Sequence, residues 1–188
     1  MFKVALTGNI ASGKSTVEEI LKEKGFAVFD TDKIAHKILE SSDEVKIAFK
    51  NYDIFTDNKI DRKKLGDIVF SDDNLLKKLE SIIHPLVKAE ILKIFEQNYD
   101  TVYISVPQLF EAGFENMFDK IIYVTADEKI RLDRLMKRNS FTENEAIKRI
   151  TAQMNDVNKL NRCDIVIENN GNKDDLKAIV DSVLNKIL

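Results

Sequence analysis

Short runs of consecutive apolar residues recur along this chain and alternate with segments whose apolar positions are three or four residues apart. The runs have the length of buried strands and lie at residues 2–7, 26–29, 101–106, 120–124 and 164–167. Strands that are apolar throughout are typical of a parallel sheet covered on both faces. Because helical segments separate the runs, the sequence predicts an α/β fold with a five-stranded, doubly wound parallel sheet. Such sheets bind ligands beyond the carboxyl ends of their strands.

The helical spacing predicts helices around this sheet at residues 16–24, 33–39, 127–138, 143 to about 155, and 174–188. Thr142 and Glu145 form a capping box at the start of the fourth helix. Residues 43–97 contain no convincing buried strand and are predicted to be a helical insertion, with helices over 42–50, 62–70 and 74–97. Pro85, which follows His84, interrupts the last of these patterns, so it either kinks one long helix or starts a new one.

A glycine-rich loop follows the first predicted strand and fits the pattern G-x-x-x-x-G-K-[ST] at every defined position. Glycines in such a loop let successive N–H groups face inward, which makes an anion-binding nest at a helix N-terminus. We therefore expect a nucleoside triphosphate here, with the Lys14 ammonium on its β- and γ-phosphates and the Ser15 hydroxyl on Mg²⁺. The predicted nucleotide-binding residues of the loop are Gly8, Asn9, Ile10, Ala11, Ser12, Gly13, Lys14, Ser15 and Thr16.

The composition narrows the partners and the compartment. With 188 residues the chain is long enough for one domain with insertions, and its net charge of −3 gives no general case for nucleic-acid binding. No apolar stretch approaches the roughly 20 residues that span a bilayer. The one cysteine, Cys163, has no partner for an intrachain disulfide, and the chain shows no secretory leader. We therefore expect a cytoplasmic protein that binds neither nucleic acid nor a membrane.

Three classes of protein share a loop of this kind: small-molecule kinases, GTPase switches, and ATPases that perform mechanical or assembly work. A guanine-specific N-K-x-D pattern occurs at residues 58–61, but it lies within the predicted insertion and not at the end of a sheet strand. Its alternative interpretation is a polar turn followed by a helix cap on Asp61. None of the six glycines has an aspartate three positions earlier, so the chain lacks the D-x-x-G element of a switch. The sequence favours a kinase.

A kinase needs a carboxylate close to the acceptor hydroxyl, and Asp32 follows the second predicted strand. Two interpretations of Asp32 stay open. It either orients the acceptor hydroxyl or serves as the N-cap of the next helix, a role that Asp30 fits as well.

Three arginines, Arg131, Arg134 and Arg138, are spaced three and four residues apart and share one face of a predicted helix. The pattern fits the mobile cover with which kinases exclude water from the nucleotide. A solvated helix surface is the alternative for each of them. Arg149 and Gln153 repeat the spacing one helix later, with the same two interpretations.

An ordered series of short motifs resembles the dephospho-coenzyme A kinase family over nearly the whole chain. The matching pieces are the loop through Ser15-Thr16, Asp30-Thr31-Asp32, residues 60–62 through 69–70, His84-Pro85, Pro107 through Glu111, Arg134 to Arg138, Arg149 with Gln153, and Asn169-Asn170-Gly171. This series is more specific than the loop alone. The resemblance implies transfer of a phosphoryl group from ATP, with Mg²⁺, to the ribose 3′-hydroxyl of dephospho-CoA by a monomer or small homo-oligomer.

The resemblance also implies three parts within one P-loop kinase domain. A three-layer core of the P-loop NTPase type is expected at about 1–42, 99–125 and 160–188. A helical acceptor-binding insertion is expected at about 43–98, and a helical lid at about 126–159.

Individual site residues are carried over from the family in the same way. Asp32 becomes the base or hydroxyl-orienting residue, and Arg138 comes from the lid to meet the transferring phosphate. The remaining members are Arg62 and His84 on the acceptor side, Gln108 and Glu111 lining the cleft, and Asn170 on ATP. His84 has a second interpretation as the residue that fixes the bend at Pro85. Glu111 fits equally a Mg²⁺ shell or a partnership with a basic side chain.

The chain departs from the family at three positions. The family usually has glycine at the positions of Asn9 and Ala11, and leucine at the position of Gln108. We expect a stiffer loop in which Ala11 adopts ordinary backbone dihedrals. Gln108 adds a polar group near the expected coenzyme site.

Overall fold

The structure is a computed structural model that describes residues 1–57, 59–151 and 156–187. The chain divides into two compact units, the first formed by Met1–Phe29 and Asn98–Leu188, the second by Asp30–Gln97.

The described strands and helices alternate along most of the chain. The strands are β1 (Phe2–Gly8), β2 (Ala27–Asp30), β3 (Phe55–Thr56), β4 (Lys59–Ile60), β5 (Thr101–Ser105), β6 (Lys120–Thr125) and β7 (Ile165–Glu168). The helices are α1 (Lys14–Glu23), α2 (Thr31–Ser41), α3 (Asp43–Ala48), α4 (Arg62–Val69), α5 (Asp73–Phe95), α6 (Glu128–Asn139), α7 (Glu143–Thr151), α8 (Asp156–Leu160) and α9 (Lys173–Ile187), with a 3₁₀ turn at Glu115–Met117.

The first unit contains a five-stranded sheet in the order β2-β5-β1-β6-β7. Strand β1 pairs in parallel with β5 and β6, and β6 pairs in parallel with β7. The prediction of an α/β fold with a five-stranded parallel sheet is confirmed. In this register Leu6 lies opposite Ser105, and Gly8 lies opposite Val124. The loop that follows Gly8 therefore starts at the carboxyl edge of the sheet, where ligands of such sheets bind.

Apolar side chains from the sheet pack against α1 and α9 to form the main core of the first unit. Its buried members are Val4, Leu6, Val17, Ile20, Leu21, Tyr103, Ile122, Val124, Ile167, Leu176, Val180, Val183 and Leu184. Burial of so much apolar surface fixes the position of α1 on the sheet. Because the loop connects β1 directly to α1, this core also holds both ends of the loop.

The second unit consists of α2 to α5 with a hairpin of β3 and β4, which pair in antiparallel fashion. Pro85 lies inside α5, which decides between the two alternatives: the predicted interruption does not start a new helix. Ile83, Val87 and Ile91 bury the inner face of α5 around the proline. The unit starts at Asp30 because α2 packs along α5, whereas residues 30–42 were expected in the core.

The hairpin of β3 and β4 is an element that the sequence did not predict. Its strands of two residues each are too short to show an alternating pattern. The predicted helix cap is confirmed, because the Asp61 carboxylate accepts hydrogen bonds from the main-chain N–H groups of Lys63 and Lys64 at 2.9 and 3.2 Å. The Lys64 N–H is the largest of the contributions that lower the pKa of Asp61. Asn58, the first residue of the N-K-x-D pattern, lies outside the described residues.

The capping box at the start of α7 is confirmed. Thr142 donates its main-chain N–H to the Glu145 carboxylate at 2.8 Å, and the Glu145 N–H reaches the Thr142 hydroxyl at 3.4 Å. Within the described residues α7 ends at Thr151, and the rest of the predicted helix to about 155, with Gln153, lies outside them.

Among the described helices, none combines the length and the apolar composition needed to cross a bilayer.

Candidate active site

Both glycines of the phosphate loop occupy positions that no other residue fits. A Cβ on Gly8 would collide with the carbonyl oxygen of Val124 on the neighbouring strand β6. A Cβ on Gly13 would collide with the side-chain amide of Asn169, and Gly13 also has φ 94°, in the left-handed region. Close packing therefore requires glycine at both positions, and backbone conformation also requires it at Gly13.

Ala11 corrects the expectation of ordinary dihedrals, because its φ is 60°. This places a residue with a Cβ in the left-handed region, where the Cβ crowds the following carbonyl. The closure of the loop between β1 and α1 imposes this conformation. The chain thus keeps at position 11 a backbone shape suited to glycine.

The first turn of α1 offers an anion-binding end. The N-cap residue of α1 is Gly13, and within the described part of the chain no side chain makes a capping hydrogen bond there. The first turn of α1 also contains no acidic residue. The positive end of the helix dipole therefore stays available for a phosphate. Ser15 is exposed on this turn, and Thr16 follows it half-buried.

Lys14 lies in a chain of three polar side chains at the base of the loop. Its ammonium donates to the Glu18 carboxylate at 2.9 Å and to the Ser105 hydroxyl at 2.5 Å. The Ser105 hydroxyl in turn donates to the same Glu18 oxygen at 2.6 Å. Glu18 and Ser105 are both buried. The lysine that the motif assigns to phosphate is therefore held in one place before any ligand binds.

Asn169 and Arg134 contact the loop from the other side. The Asn169 amide donates to the Ser12 carbonyl oxygen at 2.8 Å, and the Arg134 guanidinium makes a longer contact of 3.5 Å with the same oxygen. Asn169 is buried, and its own main-chain N–H is bonded to the Thr125 carbonyl. The Ser12 hydroxyl is buried and finds no hydrogen-bond partner among the described residues. An orphaned hydroxyl in this position fits a loop built around an oxygen-rich ligand.

Two residues predicted to meet ATP lie at different places in the structure. Asn170 exchanges hydrogen bonds with Asp127, accepting from its N–H at 2.8 Å and donating to its carboxylate at 3.1 Å. Arg138 is exposed near the end of α6, where its guanidinium donates to the side chain of Asn139 at 2.9 Å. Of the arginines on α6, the structure brings Arg134 to the loop. The ATP-contacting roles of Asn170 and Arg138 stay predictions.

Glu111 has the basic partner that one of its interpretations foresaw. Its carboxylate lies 2.9 Å from the ammonium of Lys159, whose side chain is only 2% exposed. Gln108, three residues earlier, is exposed. The cleft-lining roles of Glu111 and Gln108 stay predictions.

Three predicted site residues belong to the second unit. Asp32 is exposed in the first turn of α2, and its main-chain N–H donates to the carboxylate of Asp30 at 2.9 Å. Asp30 is therefore the N-cap, and the alternative that Asp32 caps the helix is wrong. Arg62 is the exposed first residue of α4, and His84 is half-buried beside Pro85 in α5. Arg62 lines a cavity of about 420 Å³ within this unit.

Mg²⁺ fits the donor set of the loop. The described residues contain no cluster of three or more metal-binding side chains from His, Cys, Asp or Glu. Mg²⁺ is commonly held by one or two protein oxygens together with substrate phosphates and water, and the exposed Ser15 hydroxyl supplies such an oxygen.

Sequence reasoning missed Glu18, Ser105 and Lys159 as parts of this region. Glu18 follows Lys14 by four residues on a helix, a spacing that predicts contact and was an available signal. Ser105 shows as a small hydroxyl residue near the end of the predicted strand at residues 101–106. Lys159 gives no local signal, because its partner lies in a distant segment.

A phosphate loop at the carboxyl edge of a five-stranded parallel sheet, with a lysine already positioned in it, defines the class of P-loop proteins that bind nucleoside triphosphates. A family model described as dephospho-CoA kinase matches residues 2–175. The chain belongs to the dephospho-CoA kinase family.

Individual relatives agree with this assignment. A dephospho-CoA kinase of Oceanobacillus iheyensis is 42% identical over 191 residues, which cover 97% of this chain and 96% of the relative. The solved structure of a dephospho-CoA kinase from Campylobacter jejuni has a TM-score of 0.76 at 32% identity, with 98% and 96% of the two chains covered. The structure of TT1252 from Thermus thermophilus has a TM-score of 0.86 at 33% identity and covers 100% and 98%.

Proposed function

We propose that this protein transfers the γ-phosphoryl group of ATP to the ribose 3′-hydroxyl of dephospho-CoA, giving coenzyme A and ADP. The observation that carries the proposal is the phosphate loop with its pre-positioned Lys14, in a chain that belongs to the dephospho-CoA kinase family along nearly its whole length. Membership of this family supplies the acceptor. The loop supplies the site for the triphosphate.

The loop residues account for binding of the polyphosphate. The N-terminus of α1 and the main-chain N–H groups of the loop attract its negative charge. Lys14 stabilises the charge that moves between the β- and γ-phosphate oxygens as the phosphoryl group leaves. When bound, Mg²⁺ offsets phosphate charge, and we propose Ser15 as the residue that holds it.

Acceptor roles are proposed for residues outside the loop. We assign the orientation of the attacking hydroxyl to Asp32 and charge stabilisation at the transferring group to Arg138. Arg62, His84, Gln108 and Glu111 are proposed to contact the acceptor, and Asn170 to contact ATP. A closing lid at about residues 126–159 would exclude water from the reaction. We also place the reaction in the cytoplasm, where ATP is available.

Mass spectrometry of the reaction products tests the proposal. The purified protein is incubated with ATP, Mg²⁺ and dephospho-CoA, with adenosine, shikimate and gluconate as parallel acceptors. We expect dephospho-CoA to gain one phosphoryl group while the other acceptors stay unchanged. Transfer to a different acceptor would overturn the choice of substrate, and ATP consumption that ignores every acceptor would overturn the kinase itself.

Two variants test the assigned roles. Lys14→Ala should lower turnover by about 10²-fold or more, because it removes a charge aimed at the transition state. Asp32→Asn should lower kcat while binding of dephospho-CoA persists. Its matched control is Asp30→Asn, which keeps an N-cap side chain two residues earlier and should retain activity. Full activity of Asp32→Asn would remove its proposed role.

A further inference from the structure

The lysine of the phosphate loop has a buried acidic partner that the loop motif does not include. Glu18 is 5% exposed and Ser105 is fully buried, yet both are polar and both contact the Lys14 ammonium. Each of the three side chains contacts the other two, because the Ser105 hydroxyl accepts from Lys14 and donates to Glu18. The contact joins α1 to the last residue of β5.

Stability alone does not explain why these three polar side chains are buried together. Moving a carboxylate and an ammonium out of water costs several kcal/mol per ion, and replacing a buried ion pair by apolar residues is often neutral or stabilising. The core of the first unit is otherwise built from apolar side chains, among them Val17 and Leu21 on the same helix as Glu18. A buried carboxylate beside the phosphate-binding lysine is therefore better explained by what it does to that lysine.

The number of hydrogen-bond donors on the Lys14 ammonium shows how Glu18 affects this lysine. A lysine ammonium has three donors. Among the described residues Glu18 and Ser105 accept two of them, so the tetrahedral geometry of the ammonium directs the third donor away from both and leaves it for a ligand oxygen. A flexible four-carbon side chain is thereby reduced to one orientation before the nucleotide arrives.

The charge of Glu18 has a second effect. Its negative charge offsets the positive charge of Lys14, so the pair attracts a bound triphosphate less than a lone lysine would. The oriented N–H bond still meets the charge that develops on the leaving oxygen. Interactions that are stronger in the transition state than in the ground state raise kcat, whereas uniform binding only lowers KM.

We propose that Glu18, together with Ser105, is a positioning residue that orients Lys14 for phosphoryl transfer and limits the affinity of Lys14 for ground-state ATP. This inference rests on the proposed kinase function. It assigns Glu18 no contact with the substrates, so its effect is expected in the behaviour of Lys14.

Kinetics of four variants test the inference. Glu18→Ala removes both the charge and the acceptor, Glu18→Gln keeps an acceptor oxygen of the same reach, and Glu19→Gln is the control on the neighbouring exposed position. We expect kcat to fall about tenfold or more in Glu18→Ala and less in Glu18→Gln, with KM for ATP unchanged or lower in both. Glu19→Gln should match the wild type. Lys14→Ala should differ by raising KM as it lowers kcat.

A measurement that needs no acceptor separates this inference from the proposed function. The rate at which an amine-acylating reagent modifies Lys14 is followed by mass spectrometry on the folded protein without nucleotide. Release from Glu18 and Ser105 should raise this rate about fivefold or more in Glu18→Ala, and ATP should protect Lys14 in every variant. If dephospho-CoA is not a substrate but Glu18→Ala raises the modification rate of Lys14, the proposed function is wrong and the positioning role of Glu18 stands.

Two outcomes would overturn the inference. One is an unchanged Lys14 modification rate together with wild-type kcat in Glu18→Ala. The other is a loss of activity that follows only the fraction of folded protein, measured by thermal unfolding, with kcat per folded molecule unchanged. The isosteric Glu18→Gln keeps the test usable if Glu18→Ala does not fold.

Discussion

The side-chain amide of Asn169 lies directly behind Gly13 and donates a hydrogen bond of 2.8 Å to the carbonyl oxygen of Ser12. Asn169 follows β7 near the end of the chain, whereas Ser12 follows β1 at its start. The amide occupies the space into which a Cβ of Gly13 would project. The shape of the phosphate loop therefore depends on a residue far away in the sequence.

Replacing Asn169 by alanine should loosen the loop. The variant loses a buried hydrogen bond and leaves the Ser12 carbonyl oxygen without its closest donor, which we expect to lower the free energy of unfolding by about 1–3 kcal/mol. ATP binding, measured by calorimetry, should weaken at the same time. The exposed Asn161, in the same unit, serves as control, because the contact with the Ser12 carbonyl oxygen belongs to Asn169 and Asn161→Ala leaves it in place. Equal ATP affinity in Asn169→Ala and the wild type would contradict the role given to Asn169.

Substitution of Gly13 in the loop should lower the stability of the protein more than substitution of Gly25, which has a similar backbone conformation. Gly13 and Gly25 have φ of 94° and 88°, but a Cβ on Gly25 meets nothing within 4 Å. Gly25→Ala should therefore lower stability by about 1–2 kcal/mol from backbone strain alone. Gly13→Ala adds a collision with Asn169 and should lose both more stability and ATP binding. Urea unfolding and nucleotide titration of the two variants measure the difference, and equal losses would show that the collision is relieved.

Ala11→Gly should stabilise the protein. At φ 60° alanine pays a steric cost that glycine avoids, and this gain exceeds the added freedom of glycine in the unfolded chain. We expect a net gain of about 0.5–1 kcal/mol in the free energy of unfolding. The control is Ala89→Gly on the exposed surface of α5, which should lose about 1 kcal/mol. Changes of the same sign at both positions would contradict the left-handed conformation of Ala11.

The strands and the loop were predictable because their signals are local. The continuous apolar runs predicted the five strands of the sheet, and the spacing of Gly8, Gly13 and Lys14 predicted the loop between β1 and α1. The conformation of Ala11 was not predictable in this way. Residue type favours ordinary dihedrals for alanine, whereas closure of the loop imposes a positive φ.

The remaining differences arise from contacts between distant segments. A local pattern cannot show whether a helix continues through Pro85. The proline removes one main-chain hydrogen bond, and burial of Ile83 and Val87 on the same helix offsets that loss. The partnership of Glu111 with Lys159 likewise depends on how α8 returns to the loop after β5. Tertiary packing determines both the continuation of α5 through Pro85 and the pairing of Glu111 with Lys159, and local sequence patterns carry no information on such packing.

The ion pair of Lys159 and Glu111 should stabilise the protein more than an ion pair on the surface does. Glu111→Gln leaves the buried Lys159 ammonium without its carboxylate, and we expect a loss of about 1–3 kcal/mol because Glu111 is itself partly exposed. Lys159→Met removes the buried charge as well and should lose less. In the control, Asp43→Asn breaks the exposed pair with Lys46 and should change stability least of the three. Urea unfolding ranks the three variants, and a larger loss in Lys159→Met than in Glu111→Gln would contradict this account.

Cys163 should react slowly in the folded protein. Burial, assisted by the negative charge of Asp164, raises the pKa of its thiol from 9.0 to about 11. At pH 8.5 we expect alkylation by iodoacetamide to be at least about tenfold slower than in urea-unfolded chain, because the thiolate is the reactive form. The raised pKa also contributes stability that is complete below pH 9.0 and is lost as the pH rises towards 11. Cys163→Ala should flatten this part of the pH profile, and equal alkylation rates in the two states would exclude the shift.

The sheet order has a consequence for how the protein emerges from the ribosome. Strand β1 is synthesised first, but its two neighbours, β5 and β6, begin only at Thr101 and Lys120. At ordinary translation rates β1 waits roughly 5–20 s for its first partner. The second unit is one continuous stretch from Asp30 to Gln97, so all its internal contacts become available during that wait. Synthesis therefore presents the helical unit for folding first, and the exposed apolar β1 is the segment that a nascent-chain chaperone would have to shield.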